Sequence, residues 1–237
     1  MKGVIARISP GTPVIDLTHD VAPQDVRTAA VALWMAYRYF PPGTIFAAIV
    51  DPGVGTSRRI LAAETAAGTF LAPDNGLLTL VLDEAPPRRL VSLTDRRYWL
   101  PAVSHTFHGR DIFAPAAGNL AQGVAVSRLG PAERGWKRLA FSAPSRRGGR
   151  ITGEILAIDR FGNALTNIPG GWVGRGDGVR VRGRRVAAVA AAYGDVRSGR
   201  AVAVVSSAAT VEIAVNCGNA AMTFGLKPGD AVEILAK

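Results

Sequence analysis

The run of residues 44–50 most constrains the fold of this 237-residue chain. Its residues are almost all apolar, and a continuous run of this kind is typical of a strand that is buried in a parallel sheet. The run ends on Asp51, and a glycine-containing loop then leads to the pair Arg58-Arg59. An open α/β sheet presents its reactive groups in this way, at the carboxyl end of a strand.

The first half of the chain alternates between strand-like and helix-like segments. Pro23-Gln24-Asp25 is a helix start signal, and apolar residues follow it at helical spacing as far as Tyr37. We also predict strands at residues 3–8, 13–17, 59–64 and 68–72, and a helix at residues 112–120. Residues 1–126 therefore predict an α/β domain with a mostly parallel sheet and helices on both faces.

The pattern changes after Val124. Residues 127–150 are rich in Pro, Gly, Ser and Arg, which suits a linker or an excursion from the fold. Apolar residues then recur with a period of two, as at Ile151, Ile155, Val179, Val181, Val202, Val204, Val211, Ile213, Val215, Val232 and Ile234. Residues 151–237 therefore predict an all-β, barrel-like domain.

The composition limits the partners that we expect. A net charge of +10 is compatible with nucleic-acid binding. However, all except four of the 28 basic residues are scattered arginines without interleaved aromatic residues. We therefore expect neither nucleic acid nor a membrane as a partner. The lone Cys217, the absence of a signal-like start and the absence of a membrane-length apolar run predict a cytoplasmic location.

Polar residues border two predicted elements of the α/β domain. Asp51 and Arg58 flank one loop, and His108 lies in a second polar cluster, Thr106 to Asp111. Each could have an ordinary role as a turn, surface or structural residue. Together, a carboxylate, a guanidinium and an imidazole could hold and deprotonate a water molecule. We expect no metal, because the three histidines show no ligand-type spacing, and we also expect no cofactor.

The second domain carries its own candidate residues. Asp159 and Asn163 flank a tight Phe-Gly turn, where they could satisfy local backbone groups or reach a purine edge or an amino group. Tyr193 could belong to the core or form a stacking platform. Local turn propensity alone could explain the pair Ser206-Ser207 and the run 216–219.

The ordered set of motifs resembles the S-adenosylmethionine (SAM) hydrolase family, also called SAM hydroxide adenosyltransferases, which is related to fluorinases and chlorinases. The resemblance runs along the whole chain. It is carried by 50–56 (VDPGVGT), 107–111 (FHGRD), 159–163 (DRFGN) and 216–220 (NCGNA). It implies an N-terminal α/β domain, a C-terminal β-barrel-like domain and a homotrimer whose substrate lies between neighbouring subunits.

The resemblance also implies roles for individual residues. Asp51, Arg58 and His108 match the family's catalytic set; the choice of Arg58 over Arg59 rests on the family's spacing. Asp51 occupies the position of a halogenase tyrosine, which favours water over halide as the nucleophile. The substrate-binding positions are Phe107 and Gly109 for the ribose, Asp159 and Ser207 for the methionine end, and Asn163, Tyr193, Val215 and Cys217 for the adenine.

One departure from the family leaves alternatives open. Family members begin with an extra strand and an aspartate loop that binds the ribose, whereas Met1-Lys2-Gly3-Val4 matches an internal position of that pattern. We therefore expect the first strand and the ribose aspartate to be missing. Besides SAM hydrolysis to adenosine and methionine, the sequence permits a SAM halogenase, a SAM- or adenosine-binding protein with weak turnover, and a nucleic-acid binder driven by charge.

Overall fold

A computed structural model describes residues 1–236 and divides the chain into two compact units, Met1–Leu139 and a second unit from Ala140 onward. The first unit contains helices α1 (Lys2–Ile8), α2 (Val26–Ala36), α3 (Thr79–Glu84) and α4 (Ala114–Ala121), and strands β1 (Ile45–Ala47), β2 (Ile60–Glu64), β3 (Thr69–Pro73) and β4 (Arg89–Ser92). A π-helical turn, Gly109–Phe113, runs directly into α4.

The sheet of the first unit has the order β1-β3-β2-β4 and is covered on both faces. On one face, Ala62 and Leu71 pack with residues of α1 and α4. On the other, Ala63 and Phe70 pack with α2 and α3. The predicted combination of an α/β domain and a β-barrel-like domain is confirmed, as are the helices on both faces.

Three details of the first unit differ from the prediction. Residues 2–8 form a helix, not a strand, because Ile5 and Ile8 lie one turn apart and pack on α4 at Gly118. Residues 13–17 form no regular element, and Ile15 is exposed. Only the β1–β3 pair is parallel; the tight turn between β2 and β3 forces an antiparallel pair, so the described sheet is mixed.

Helix α2 begins where the sequence places it. Asp25 caps the helix, accepting hydrogen bonds from the backbone N and the Oγ1 of Thr28 at 2.9 and 2.6 Å. Residues 131–139 then run beside β4 and α3, because Ser92 N donates to the Pro131 carbonyl at 3.0 Å and Leu139 N donates to Thr79 Oγ1 at 2.9 Å. This segment therefore belongs to the packed first unit.

The second unit is an antiparallel sheet that nearly closes on itself. Its strands are β5 (Ser145–Arg147), β6 (Arg150–Ile158), β7 (Ala164–Pro169), β8 (Gly178–Val181), β9 (Arg184–Ala188), β10 (Ala201–Val205), β11 (Thr210–Val215) and β12 (Ala231–Leu235), with one short helix, α5 (Ala220–Phe224). The order is β10-β11-β7-β6-β12-β8-β9, and a bridge from Val189 to Ala203 joins the two edges.

The core of the second unit is filled by alternate residues of its strands, including Ile155, Ile168, Val179, Ile213 and Val232. This alternation is the period of two that the sequence shows. Among residues 1–236, no helix has the length and apolar character needed to cross a membrane.

Candidate active site

Asp51, Arg58 and His108 lie together in the first unit. The Arg58 guanidinium donates two hydrogen bonds to the Asp51 carboxylate, one from Nε to Oδ1 at 2.9 Å and one from Nη2 to Oδ2. The same Nη2 lies 3.0 Å from His108 Nδ1. The side chains of Asp51 and Arg58 are only 5% and 6% exposed. The structure thus brings the three predicted residues into one hydrogen-bonded cluster.

The loop between Asp51 and Arg58 folds back on itself through two consecutive turns. Val54 N donates to the Asp51 carbonyl, and Thr56 N donates to the Gly53 carbonyl, each at 3.2 Å. Thr56 Oγ1 also donates to the Gly53 carbonyl at 2.7 Å. These turns return the chain to its starting point, so the Arg58 side chain meets the carboxylate seven residues before it.

Gly55 connects this loop with the segment that carries His108. Its φ is +79°, and a Cβ atom there would lie 2.4 Å from the His105 carbonyl oxygen. Only a glycine combines this left-handed backbone with so close an approach to a neighbouring chain segment. The contact lets the two loops of the site pack directly against each other.

Replacing Gly55 with Ala should therefore destabilise the protein and separate the two loops. The left-handed backbone alone costs an alanine about 1–2 kcal/mol, and the contact with His105 should add about 1 kcal/mol or more. Gly123→Ala is the matched control, because its φ is +87° but the space around it is open. Urea unfolding of both variants checks this expectation; equal losses of unfolding free energy would contradict it.

The electrostatic setting keeps the His108 imidazole neutral. Burial lowers its pKa from the ordinary value of 6.5, and the charge of Arg58 lowers it further. Since Arg58 Nη2 can only donate, Nδ1 must accept, and the proton of the neutral ring lies on Nε2. His108 can therefore donate a hydrogen bond from Nε2 to a ligand.

This lowered pKa predicts a pH dependence of stability. Between the folded-state pKa and 6.5, the unfolded chain binds the His108 proton more readily, so stability is complete above 6.5 and falls as the pH drops through that window. We expect the unfolding free energy to fall less between about pH 7.5 and pH 5.5 in His108→Gln than in the wild type. Urea titrations at the two pH values measure the difference, and identical pH profiles would contradict it.

Arg59 points to a different partner. Its Nε and Nη2 donate to Asp74 Oδ2 at 2.9 and 2.6 Å, and its Nη1 donates to Glu133 Oε2 at 2.5 Å. Asp74 also accepts a 2.7 Å hydrogen bond from the backbone of Lys137. Arg59 thus anchors residues 133–137 to the sheet, and Arg58 is the arginine of the Asp51–His108 cluster.

The cluster borders a cavity of about 550 Å³ in the first unit. Arg58, Ser104, His105 and His108 are among the residues that line it. The two predicted ribose contacts flank His108: Phe107 is 47% exposed, whereas Gly109 is buried. The site therefore offers a polar cluster beside accessible volume.

The predicted contacts of the second unit form two groups. Asp159 Oδ1 accepts from the backbone N–H groups of Phe161 and Asn163 at 2.8 and 2.9 Å, and Oδ2 accepts from Asn163 Nδ2 at 3.1 Å. The 216–219 turn is joined to this turn, because Ala221 N donates to the Gly162 carbonyl at 2.8 Å.

The remaining predicted contacts lie on or beside β10 and β11. Val215, at the end of β11, is buried, and Cys217 is exposed in the turn that follows, with a left-handed φ of +53°. Ser207 is exposed in the tight turn between β10 and β11. Tyr193 lies on a separate segment, and its Oη donates to Glu212 at 2.6 Å.

Glu212 is a polar residue that the sequence reasoning missed. It sits inside the otherwise apolar strand β11 and is only 9% exposed. A lone carboxylate within a Val/Ile run is the signal that could have identified it. No group of three or more potential metal ligands occurs within residues 1–236, and the expectation of no metal stays a prediction.

The chain is thus a two-domain protein, with an Asp–Arg–His cluster in an α/β unit that is followed by a β-barrel-like unit. Comparison with known proteins gives the family. Residues 1–130 match the SAM hydroxide adenosyltransferase N-terminal domain, and residues 153–233 match the C-terminal domain of that family. The chain therefore belongs to the SAM hydroxide adenosyltransferase family.

Individual relatives agree with this membership. The (R)-S-adenosyl-L-methionine hydrolase of Thermus thermophilus is 44% identical, over 99% of this chain and 92% of the relative. A fluorinase of an Actinoplanes species is 30% identical, over 70% of this chain and 65% of the relative. The crystal structure of an uncharacterized conserved protein from Thermotoga maritima superposes with a TM-score of 0.93 at 40% identity, covering 99% of this chain and 93% of that one.

Proposed function

We propose that this protein hydrolyses S-adenosyl-L-methionine to adenosine and L-methionine, by attack of water at C5′. The observation that carries the proposal is the buried cluster of Asp51, Arg58 and His108 beside a cavity. The Thermus relative, 44% identical over nearly the whole chain, is named an (R)-S-adenosyl-L-methionine hydrolase.

The chemistry needs little more than a well-placed water molecule. The water oxygen attacks C5′ as the C5′–S bond breaks, and the bond's electron pair neutralises the sulfonium to give methionine. This leaving group needs no acid, so the enzyme has only to orient and deprotonate the nucleophile. The overall products are adenosine, methionine and one proton.

The geometry of the cluster suggests a catalytic role for each of its three residues. Arg58 holds both oxygens of Asp51, which fixes the carboxylate so that it can orient the water and accept its proton. His108 is neutral with Nε2–H free to donate, so it can stabilise the developing hydroxide. Holding water among fixed dipoles in a secluded site lowers the reorganisation that the reaction needs.

Substrate binding and assembly belong to the same proposal. Phe107 and Gly109 would bind the ribose region, Asp159 and Ser207 the methionine end, and the adenine would contact the remaining predicted positions, namely Asn163, Tyr193, Val215 and Cys217. The protein would act as a homotrimer in which a neighbouring copy completes each site. It would use no cofactor, because SAM supplies its own leaving group.

Incubating the purified protein with SAM in ¹⁸O-labelled water tests the reaction, with mass spectrometry of the products. Adenosine carrying ¹⁸O at the 5′ position, together with unlabelled methionine, is the expected result. A halogenated nucleoside that forms only when chloride is added would instead identify a halogenase. Binding of SAM without any product would identify a binding protein and overturn the proposal.

A further inference from the structure

One turn of the first unit lies beside both ends of the loop that carries Asp51 and Arg58. Strand β3 has β1 on one side and β2 on the other. Since β1 is parallel to β3 and β2 is antiparallel to it, the end of β3 lies next to the end of β1 and the start of β2. The loop runs from β1 to β2, so the turn at residues 73–76 can contact it at both ends.

The backbone ladder between β1 and β3 stops before it reaches Asp51. Ala48 N donates to the Leu71 carbonyl at 2.9 Å. In a parallel ladder of this register, the next hydrogen bond would run from the N–H of residue 73 to the Ala48 carbonyl. Residue 73 is a proline and has no N–H to donate. The regular ladder therefore ends at Ala48, and Asp51 lies beyond it.

Asn75 supplies a substitute for the next ladder bond. That bond would join the N–H of residue 75 to the Val50 carbonyl, but the backbone N of Asn75 donates to the Pro73 carbonyl at 2.9 Å instead. The side-chain Nδ2 of Asn75 donates to the Val50 carbonyl at 2.8 Å. Its Oδ1 accepts from Leu77 N at 3.2 Å, which fixes the orientation of the amide. The residue directly before Asp51 is thus attached to the end of β3.

The adjacent residue Asp74 holds the other end of the loop. Its side chain is only 3% exposed and pairs with the guanidinium of Arg59, which directly follows Arg58. The backbone N of Asp74 also donates to the Arg59 carbonyl at 2.9 Å. Asp74 and Asn75 together fix the two points from which the side chains of Asp51 and Arg58 approach each other.

Formation of the turn accounts for only half of the Asn75 side chain. The acceptor for Leu77 N could be supplied equally well by an aspartate, and by the shorter side chain of a serine. The amide adds a donor, and this donor is directed at the residue before Asp51. The turn alone leaves the contact with Val50 unexplained, whereas the placement of Asp51 explains it.

We propose that Asn75 is a positioning residue for the reaction: by holding the Val50 carbonyl, it sets the place of the Asp51 carboxylate relative to the attacking water. This inference rests on the proposed function, because it takes Asp51 as the group that accepts the proton of that water. Displacing a reacting group by about 1 Å can cost about 100-fold in rate. The contact should therefore affect turnover far more than substrate binding.

The test is Asn75→Ser, which keeps an acceptor for Leu77 N but loses the donor to Val50. We expect kcat for SAM hydrolysis to fall about 10- to 100-fold, and the calorimetric Kd for SAM to change by less than about threefold. No loss of kcat, or a loss of affinity as large as the loss of kcat, would overturn the inference.

Asn119→Ser is the matched control. Asn119 Nδ2 also donates to a backbone carbonyl at 2.8 Å, that of Pro115, but this hydrogen bond lies within helix α4. The control should lose about as much stability in urea as Asn75→Ser and should keep its kcat. Equal losses of kcat in the two variants would show that Asn75 serves only the fold.

A double variant distinguishes positioning from general support of the fold. If Asn75 acts through Asp51, Asn75→Ser should cost little further kcat in an Asp51→Asn background, because the carboxylate that it positions is already absent. The same fold-loss of kcat in both backgrounds would contradict the inference.

Hydrogen exchange separates this inference from the proposed function. The amides of Val54 and Thr56 close the two turns of the loop, and we expect them to exchange about 5- to 10-fold faster in Asn75→Ser than in Asn119→Ser. If the wild type forms no adenosine but the exchange differs in this way, the proposed reaction fails and the placement of Asp51 by Asn75 stands. If adenosine forms but Asn75→Ser changes neither kcat nor exchange, the reaction stands and this inference fails.

Discussion

Replacing Asp51 with Asn should lower kcat for SAM hydrolysis roughly 10²- to 10⁴-fold, because the amide cannot accept the proton of the attacking water. The affinity for SAM should stay within about threefold, since the substitution keeps the shape and removes an interaction made mainly in the transition state. Steady-state kinetics and calorimetric SAM binding measure the two quantities separately.

The control for this variant is Asp95→Asn. Asp95 also pairs with an arginine, Arg97, but that pair is on the surface. The Asp95→Asn substitution should therefore leave both kcat and the affinity for SAM unchanged. A loss of SAM affinity as large as the loss of kcat in Asp51→Asn would refute the assignment of Asp51 as the proton acceptor.

Replacing Arg58 with Met should reduce the unfolding free energy by about 3–5 kcal/mol, because it leaves the nearly buried Asp51 carboxylate without its partner. Turnover should also be lost, since both Asp51 and His108 are held by the same guanidinium. Urea unfolding at neutral pH measures the stability change.

A double variant distinguishes the cause of that loss. Combining Arg58→Met with Asp51→Asn removes the orphaned charge, so the pair should be more stable than Arg58→Met alone. Arg97→Met, which breaks the exposed pair with Asp95, should cost about 1 kcal/mol or less. Additive losses in the double variant would show that charge burial is not the cause.

The cluster of Asp51, Arg58 and His108 could be predicted because its residues lie in loops that border regular elements. The apolar run before Asp51 supplies β1, which ends at Ala47, and the six-residue loop after Asp51 returns Arg58 to the carboxylate. Helix α2 could also be predicted, because the Asp25 cap and the helical spacing of the apolar residues indicate the same element. In both cases, local signals and the final packing point the same way.

The sequence was less informative where packing decides. Residues 2–8 read as a strand since Gly3, Val4 and Ile5 suit either element, and only contact with α4 makes them helical. The buried role of Glu212 depends on the segment around Tyr193 folding over β11. The lone carboxylate in a Val/Ile run marks the position, but local composition does not reveal which distant segment covers it.

The adjacent arginines limit how the loop after Asp51 can change over evolutionary time. Arg58 and Arg59 point to opposite partners, one to Asp51 and the other to Asp74 and Glu133. If one residue were inserted into or deleted from the loop and β2 shifted by one residue, the side chains of Arg58 and Arg59 would point in each other's direction. Both the contact with Asp51 and the contacts with Asp74 and Glu133 would then be lost. We therefore expect homologues that keep both ion pairs to vary in the loop's composition far more readily than in its length.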